Sequence, residues 1–222
     1  CNNNIKTEFA VINSKFQVNY FVIGDDGVYN ICNFSEHTDR VNDITFFKNC
    51  NSPFDKAFLT GSSDGTIKLW DSRMQNSAKT INANKAIVCS LDTNSNVLAA
   101  GFGKDVGLWD LVKMKNTHRY KYGHSDLVTS VKLRDNQLVS GGEDYLINTY
   151  DITGGLTMTS GVSCVNTTQG ISKVDFLDGE MNFIQALTNV FTFNIIDMYK
   201  GYSIYEFDAK EVKIFNLGFI QY

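Results

Sequence analysis

The stretch FLTGSSDGTIKLWD, residues 58–71, decides the fold. An apolar run is followed by a Ser/Asp/Gly turn and then by a run in which apolar and polar residues alternate, which is the pattern of a β-hairpin. In the second run, Ile67 and Leu69 fall on one face of the predicted strand, and the residue between them falls on the other. The stretch therefore predicts two antiparallel strands joined by a tight turn and closed by Trp70-Asp71.

The same pattern recurs along the chain. When five copies are aligned on their last residues, they follow one another with a period of about 40 residues. No helical apolar period extends over a long window, and the single proline, Pro53, leaves the predicted strands uninterrupted. The copies are FVIGDDGVYNICN (21–33), FLTGSSDGTIKLWD (58–71), VLAAGFGKDVGLWD (97–110), QLVSGGEDYLINTYD (137–151) and IQALTNVFTFNIID (184–197).

A period of this length that ends in Trp-Asp resembles the WD40 repeat family, over about residues 16–197. The resemblance implies an all-β protein, a WD40-type β-propeller of four-stranded antiparallel blades that is part of a seven-bladed propeller. Seven blades need roughly 280–315 residues, so we expect the chain to be incomplete or to have fewer blades. A single domain, 1–222, is expected to hold blades at about 5–33, 37–71, 81–110, 124–151 and 167–197, with a partial one at 201–222.

Members of the family tie each blade together with a buried tetrad of His, Ser or Thr, Asp and Trp. A buried Trp N–H needs an acceptor, and a hydroxyl can accept it while donating to a neutral imidazole that in turn donates to a carboxylate. We expect these residues to be structural rather than catalytic. By position, the second copy carries His37, Thr60, Asp64 and Trp70, and the fourth carries His124, Ser140, Asp144 and Tyr150.

Residue types that often carry catalysis or bind metals form no recognisable motif in this chain. Two of the three histidines belong to the predicted tetrads, and the five cysteines are widely spaced with no CxxC pair. Such cysteines indicate reduced thiols in a cytoplasmic or nuclear protein. We expect no metal, no cofactor and no enzymatic activity. The rival class, an enzyme with its active site at the channel mouth, needs several convergent polar groups that the sequence does not show.

The net charge of the chain limits the kinds of partner that it is expected to bind. A formal net charge of −4 and a pI near 5.3 exclude a generally basic nucleic-acid binder, and no apolar run is long enough for a membrane-spanning helix. We therefore expect no nucleic-acid partner and no membrane. The basic residues Lys113, Lys115, Arg119 and Lys121 are interpreted as one solvated linker between blades.

Acidic residues concentrate in the loops and turns that the resemblance places on one face. Like charge on a concave face attracts cationic partners, so we expect a basic peptide or protein segment to bind there; a solvated acidic surface is the alternative. Two aromatic residues in turns are candidate anchors, with core packing as the alternative. The candidate partner-binding residues are Asp25, Asp26, Glu36, Asp39, Arg40, Phe102, Asp126, Glu143 and Tyr145.

A second candidate surface follows the second copy. Trp70-Asp71-Ser72-Arg73 resembles the motif of substrate receptors for cullin-4 ubiquitin ligases, in which Arg73 would make bidentate contacts with an adaptor. The sequence as a whole predicts a non-catalytic scaffold for protein–protein interactions that binds partners on its loop faces. The alternative function is a substrate receptor of a cullin-4-type ligase.

Overall fold

A computed structural model describes residues 7–47, 56–94, 96–152, 161–177 and 182–208. These residues form nineteen strands in five antiparallel sheets, one of three strands and four of four, and this part of the chain contains no helix. The expected all-β fold is confirmed.

Within each sheet the strands follow chain order, so that every strand pairs with its neighbours in sequence. The first sheet is β1 (Thr7–Ile12), β2 (Val18–Gly24) and β3 (Gly27–Phe34); the second is β4 (Val41–Phe46), β5 (Ala57–Ser62), β6 (Thr66–Asp71) and β7 (Lys79–Asn82); the third is β8 (Val88–Asn94), β9 (Val97–Phe102), β10 (Asp105–Asp110) and β11 (Lys115–Tyr120); the fourth is β12 (Val128–Arg134), β13 (Gln137–Gly142), β14 (Leu146–Asp151) and β15 (Gly161–Asn166); the fifth is β16 (Ile171–Phe176), β17 (Phe183–Thr188), β18 (Thr192–Asp197) and β19 (Tyr202–Asp208).

The chain separates into two compact units. The first consists of Cys1–Gly103 with Gly107–Arg119, and the second of Lys104–Val106 with Tyr120–Tyr222. The assignment of one domain to residues 1–222 stays a prediction.

In each unit a glycine on the second strand of a sheet lets the next sheet approach closely. A Cβ on Gly61 would lie 2.6 Å from Val88, and one on Gly141 would lie 2.5 Å from Ile171. Apolar side chains fill the space around both contacts. They include Leu59, Ile67, Leu91 and Leu98 in the first unit, and Val139, Ile147, Val174 and Ile184 in the second.

Polar side chains on the first strands fasten neighbouring sheets in a repeated pattern. The Asn42 amide donates to the carbonyl of Val88 (2.8 Å), and the Thr129 hydroxyl donates to the carbonyl of Ile171 (2.5 Å). One residue further on, Asp43 accepts a hydrogen bond from the Leu91 N–H at 2.8 Å. Ser130 accepts one in the same way from the N–H of Val174, at 3.1 Å. Both units thus use the same pattern of hydrogen bonds between neighbouring sheets, at equivalent positions.

The four-stranded sheets extend beyond the expected blades, because each takes in a strand after its terminal Asp. β11 forms from the stretch interpreted as a linker: the side chains of Asn116 and Thr117 both donate to the carbonyl of Leu108 (3.1 and 3.0 Å). β19 is the fourth strand of the fifth sheet rather than the start of another blade. The remainder of the expected partial blade, 209–222, lies outside the described residues, as do the first two residues of the expected blade 5–33.

The structure also corrects the alignment of the first copy, which is shifted by one strand relative to the other copies. Its terminal Asn33 lies in β3, an exposed last strand like β7, whereas Asp71 ends the buried third strand β6. Aromatic packing supports this assignment. The Phe34 ring lies 4.8 Å from the Trp70 ring, and Tyr120, at the end of the fourth strand β11, lies 4.5 Å from Tyr150.

Candidate functional site

Four side chains of the second sheet form one buried hydrogen-bonded chain. The Trp70 Nε1–H donates to the hydroxyl of Thr60 at 2.8 Å, and that hydroxyl lies 2.7 Å from Nε2 of His37. Nδ1 of His37 lies 2.8 Å from a carboxylate oxygen of Asp64. The bonds assign the tautomer: Nε2 accepts from Thr60, so the proton sits on Nδ1 and is donated to Asp64.

The environment keeps the imidazole neutral and the carboxylate ionised. Burial lowers the pKa of His37 and outweighs the opposing effect of Asp64. Burial alone would raise the pKa of Asp64, but hydrogen bonds from the Thr66 hydroxyl, from His37 and from the Thr38 backbone hold it below its ordinary range. A neutral donor therefore faces an anionic acceptor at neutral pH, and a charge-assisted bond results.

The fourth sheet carries the same arrangement with one change. His124 lies 2.7 Å from the Ser140 hydroxyl through Nε2 and 2.9 Å from Asp144 through Nδ1. Tyr150 replaces the tryptophan, and among the described residues its buried hydroxyl finds no hydrogen bond of good geometry. Ser140 therefore lacks the strong donor that Trp70 provides in the second sheet.

Each carboxylate joins two separate chain segments. Asp64 accepts from the backbone N–H of Thr38 (3.1 Å), which fastens the hairpin turn 63–65 to the loop 35–40. Asp144 accepts from the N–H of Ser125 (2.7 Å), which fastens the turn 143–145 to the loop 121–127. We call these paired segments the His37 end of the first unit and the His124 end of the second.

The His124 end brings together three of the candidate partner-binding residues. Asp126 lies in the loop, Glu143 and Tyr145 lie in the turn, and all three are exposed. The Glu143 N–H donates to the carbonyl of Leu127 at 2.9 Å, which holds turn and loop together. The amine of Lys104, also in this unit, donates to the carbonyl of Ser125 at 2.5 Å.

At the His37 end, Asp39 and Arg40 are exposed, whereas Glu36 is held by neighbouring groups. Its carboxylate accepts from the Lys68 amine (2.9 Å) and from the Ser77 hydroxyl (2.6 Å) and backbone N–H (2.7 Å). Burial opposes ionisation of Glu36, but these donors outweigh it and lower the pKa to about 2. Glu36 therefore stabilises the sheet rather than presenting a free charge.

Three other candidates lie elsewhere. Asp25 and Asp26 form the turn before β3, at the opposite end of that strand from the His37 loop, so they do not share a face with Asp39. Phe102 is 2% exposed and packs against Trp109 (5.7 Å between ring centroids), with the Arg119 guanidinium 5.1 Å from its ring. Core packing is thus the correct interpretation of Phe102, because its side chain points inward at the end of β9.

Arg73 follows β6, and its guanidinium is paired with Asp71. Nε and Nη2 donate to the two carboxylate oxygens at 2.8 and 2.6 Å, and the Arg73 side chain remains 61% exposed. The hydrogen bond from Arg73 lowers the pKa of Asp71. The bidentate contact orients the guanidinium but also occupies two of its donor groups.

Two features of the described residues bear on other functions. Within those residues no group of three His, Cys, Asp or Glu side chains could hold a metal ion. In the same part of the chain no helix is long and apolar enough to cross a membrane.

Comparison with known proteins identifies one matching family. Residues 29–71, from β3 to the end of β6, match the WD40 family (WD domain, G-beta repeat). These residues are thus identified as one WD40 repeat. The match begins in the last strand of one sheet and includes the first three strands of the next, which agrees with the assignment of β3 as a last strand.

Relatives cover most of this chain. WD repeat-containing protein 89 homolog of Dictyostelium discoideum is 27% identical over 203 residues, which are 90% of this chain and 54% of that protein. The stretch GGEDYLINTYDI, 141–152, also indicates similarity to this type of protein, and the match confirms it. WD repeat-containing protein GTS1 of Arabidopsis thaliana is 29% identical over 167 residues, 72% of this chain and 42% of that protein. The chain thus spans about half the length of these relatives.

A solved structure supports the fold alone. The computationally designed Ika8 protein matches with a TM-score of 0.68 at 18% identity, over 90% of this chain and 60% of that chain. Together with the WD40 match, this similarity places the chain in the β-propeller fold class.

Several contacts of the site have no local sequence signal. Glu36 meets partners that lie 32 and 41 residues further along the chain, and the Asn42 amide bonds to Val88, 46 residues away. The corrected position of β3 does point to one feature that the sequence contains. An aromatic residue three or four positions before the tetrad histidine, Phe34 or Tyr120, packs on the aromatic residue of the tetrad.

Replacing the aromatic member of each network by phenylalanine should affect the two sheets differently. Trp70→Phe removes a buried donor and leaves a cavity, so we expect a loss of about 2 kcal/mol or more in the free energy of unfolding. Tyr150→Phe removes a hydroxyl without a good bond and should change stability by less than about 0.5 kcal/mol. Urea denaturation followed by circular dichroism measures both, and equal losses would contradict the assignment.

The network also predicts acid sensitivity. Because the pKa of His37 is lower in the folded protein than its ordinary value of 6.5, the unfolded chain binds more protons below that pH, and stability falls as the pH drops. A second loss follows below the ordinary Asp value of 3.8, as Asp64 and Asp144 are protonated. Urea midpoints measured from pH 8 to 5 should decline less steeply in His37→Asn than in the wild type; identical slopes would refute the role of His37.

Proposed function

We propose that this chain is a non-catalytic scaffold that binds protein partners. WD40-repeat proteins are generally non-catalytic scaffolds, and the proposal extends that role to this chain, which contains a matching repeat and resembles such proteins. The observation that carries it is the His124 end, where a buried hydrogen-bond network immobilises a turn and a loop that carry exposed charged and aromatic side chains. The expected cytoplasmic or nuclear location belongs to the same proposal, on the spacing of the cysteines.

The mechanism is rigid display. The backbone around Ser125 and Glu143 is already fixed by hydrogen bonds to Asp144 and Leu127. A partner that binds there does not have to order these segments, so less conformational entropy is lost on association. Rigid elements that hold variable loops are the usual arrangement for recognition sites.

The chemistry of this end favours a basic segment. Asp126 and Glu143 are exposed carboxylates, and within the described residues neither forms an ion pair with a lysine or arginine. The neighbouring amine of Lys104 is directed to a backbone carbonyl. Exposed carboxylates without compensating cations attract a positively charged partner, and the attraction weakens with salt.

A second function, receptor for a cullin-4-type ligase adaptor, is favoured by one observation. The Arg73 guanidinium is exposed and held in one orientation by its bidentate contact with Asp71. A pre-oriented and exposed guanidinium can contact a carboxylate or carbonyl of an adaptor without first losing side-chain freedom.

Charge reversal tests the scaffold proposal. A fluorescent Lys/Arg-only peptide should bind the wild type, more weakly as salt rises. Asp126→Lys combined with Glu143→Lys should weaken binding at least tenfold, because repulsion replaces attraction. The matched control is Asp25→Lys with Asp26→Lys, in the turn before β3 of the first unit. This pair of substitutions changes the charge equally and should leave the affinity unchanged. Binding that is insensitive to salt, or to reversal at the His124 end, would refute the proposal.

Substitution of Arg73 tests the second function. In a pull-down with the purified ligase adaptor, Arg73→Ala should abolish retention and Arg73→Lys should reduce it, because lysine cannot reproduce bidentate contacts. Thermal unfolding should change little, since the Arg73 side chain is exposed and ion pairs with an exposed partner contribute little to stability. Retention that is unchanged in Arg73→Ala would argue against the receptor role.

A further inference from the structure

Three hairpin turns of equal length lie between the second and third strands of the second, fourth and fifth sheets. Each has three residues, and the last one has a left-handed backbone conformation: Gly65 (φ 78°), Tyr145 (φ 69°) and Phe191 (φ 64°). Glycine adopts this conformation without cost, whereas a bulky side chain there is strained. The two turns of the second unit thus place aromatic residues at the position that favours glycine.

Burial of the Tyr145 and Phe191 rings does not offset this backbone strain. The side chains of Tyr145 and Phe191 are 50% and 67% exposed, so a large part of each ring remains in water. At Gly65 a side chain is excluded, because a Cβ would lie 2.7 Å from the Cα of Lys85. Strained positions that the fold does not require tend to cluster at functional sites.

The two aromatic turns lie on either side of one short loop. The backbone N–H and the hydroxyl of Thr167 both donate to the carbonyl of Tyr145 at 2.8 Å. Three residues later, the carbonyl of Gly170 accepts from the N–H of Asn189, in the turn of Phe191, also at 2.8 Å. Three residues span about 10 Å at most, so the turns are separated by no more than a few residues of an extended peptide.

The surroundings of the two rings differ in chemistry. Glu143, exposed, opens the turn that Tyr145 closes, so a carboxylate and an aromatic ring share that turn. Val190, 51% exposed, precedes Phe191, so the second turn presents two apolar side chains beside the exposed, uncharged Asn189. A cation is complementary to the first turn, through the carboxylate and the ring face, and an apolar side chain is complementary to the second.

We propose that Glu143, Tyr145, Val190 and Phe191 form a two-part docking surface for an extended protein segment. The segment places a lysine or arginine at Tyr145 and Glu143, and an apolar side chain two or three residues away at Val190 and Phe191. This inference deepens the proposed scaffold function and rests on it, since it names what the His124 end recognises. The surface is unsuited to nucleic acid because Glu143 and Asp126 repel phosphates.

The experiment uses glycine variants that restore the residue type of the second sheet. Fluorescence anisotropy is measured with a peptide that carries Arg and Leu three positions apart among Gly and Ser, and with the same peptide in which Leu or Arg is replaced by Ser. Tyr145→Gly and Phe191→Gly should each weaken binding of the Arg/Leu peptide at least tenfold. Their melting temperatures should be unchanged or higher, because the strain is relieved.

Further variants and probes separate the possible outcomes. Tyr145→Asn, which tolerates a left-handed backbone, should lose binding as Tyr145→Gly does. A fall in melting temperature in both variants would show that the ring serves the fold and would overturn the inference. An oligonucleotide that binds where the Arg/Leu peptide does not would also overturn it.

The failure of this inference can be distinguished from failure of the scaffold proposal. If the Lys/Arg-only peptide binds and responds to charge reversal, but Leu adds no affinity or the glycine variants bind normally, only the aromatic surface is refuted. If neither peptide binds the wild type, the basic-segment proposal fails and this inference fails with it.

Discussion

The hydrogen bond between a buried imidazole and a carboxylate is the constraint on which both units depend. His37 and Asp64 make it at 2.8 Å, and His124 and Asp144 make it at 2.9 Å. Each pair lies where the chain passes from one sheet to the next, and it fixes the entering loop to a hairpin turn. Because the same carboxylates also bind backbone N–H groups, the exposed residues of these segments are held by the core.

Local patterns in the sequence predict the fold class well, and predict the boundaries less well. The alternation around Ile67 and the terminal Trp70-Asp71 identify a third strand, because both signals act over a few residues. β3 is mistaken for such a strand, since GVYNICN has the same alternation while its exposure depends on sheet position. β11 escapes detection for the opposite reason: its polar sequence suits an outer strand, where one face contacts water.

The candidate site is predictable only where it depends on spacing. The tetrads follow from positions within one repeat, and the structure brings those residues within hydrogen-bond distance. Whether an acidic residue is available to a partner depends on which donors its side chain meets in the folded sheet, and the spacing of the repeats does not reveal this. The Glu36 carboxylate accepts hydrogen bonds from Lys68 and Ser77, whereas Glu143 is exposed. In the sequence, both are acidic residues near a predicted loop or turn, and nothing distinguishes them.

The two units place different residue types at the last position of the same three-residue turn. The difference distinguishes a structural role from a functional one. In the first unit, the backbone of Lys85 approaches Gly65 so closely that only glycine fits, and the turn serves packing. In the second unit that restriction is absent at Tyr145 and Phe191, yet the residues chosen are the ones that strain the backbone and remain in water. A fold optimised for stability alone would favour glycine or asparagine there. Conflict between local preference and the observed residue, without compensation from burial, is therefore an argument for recognition.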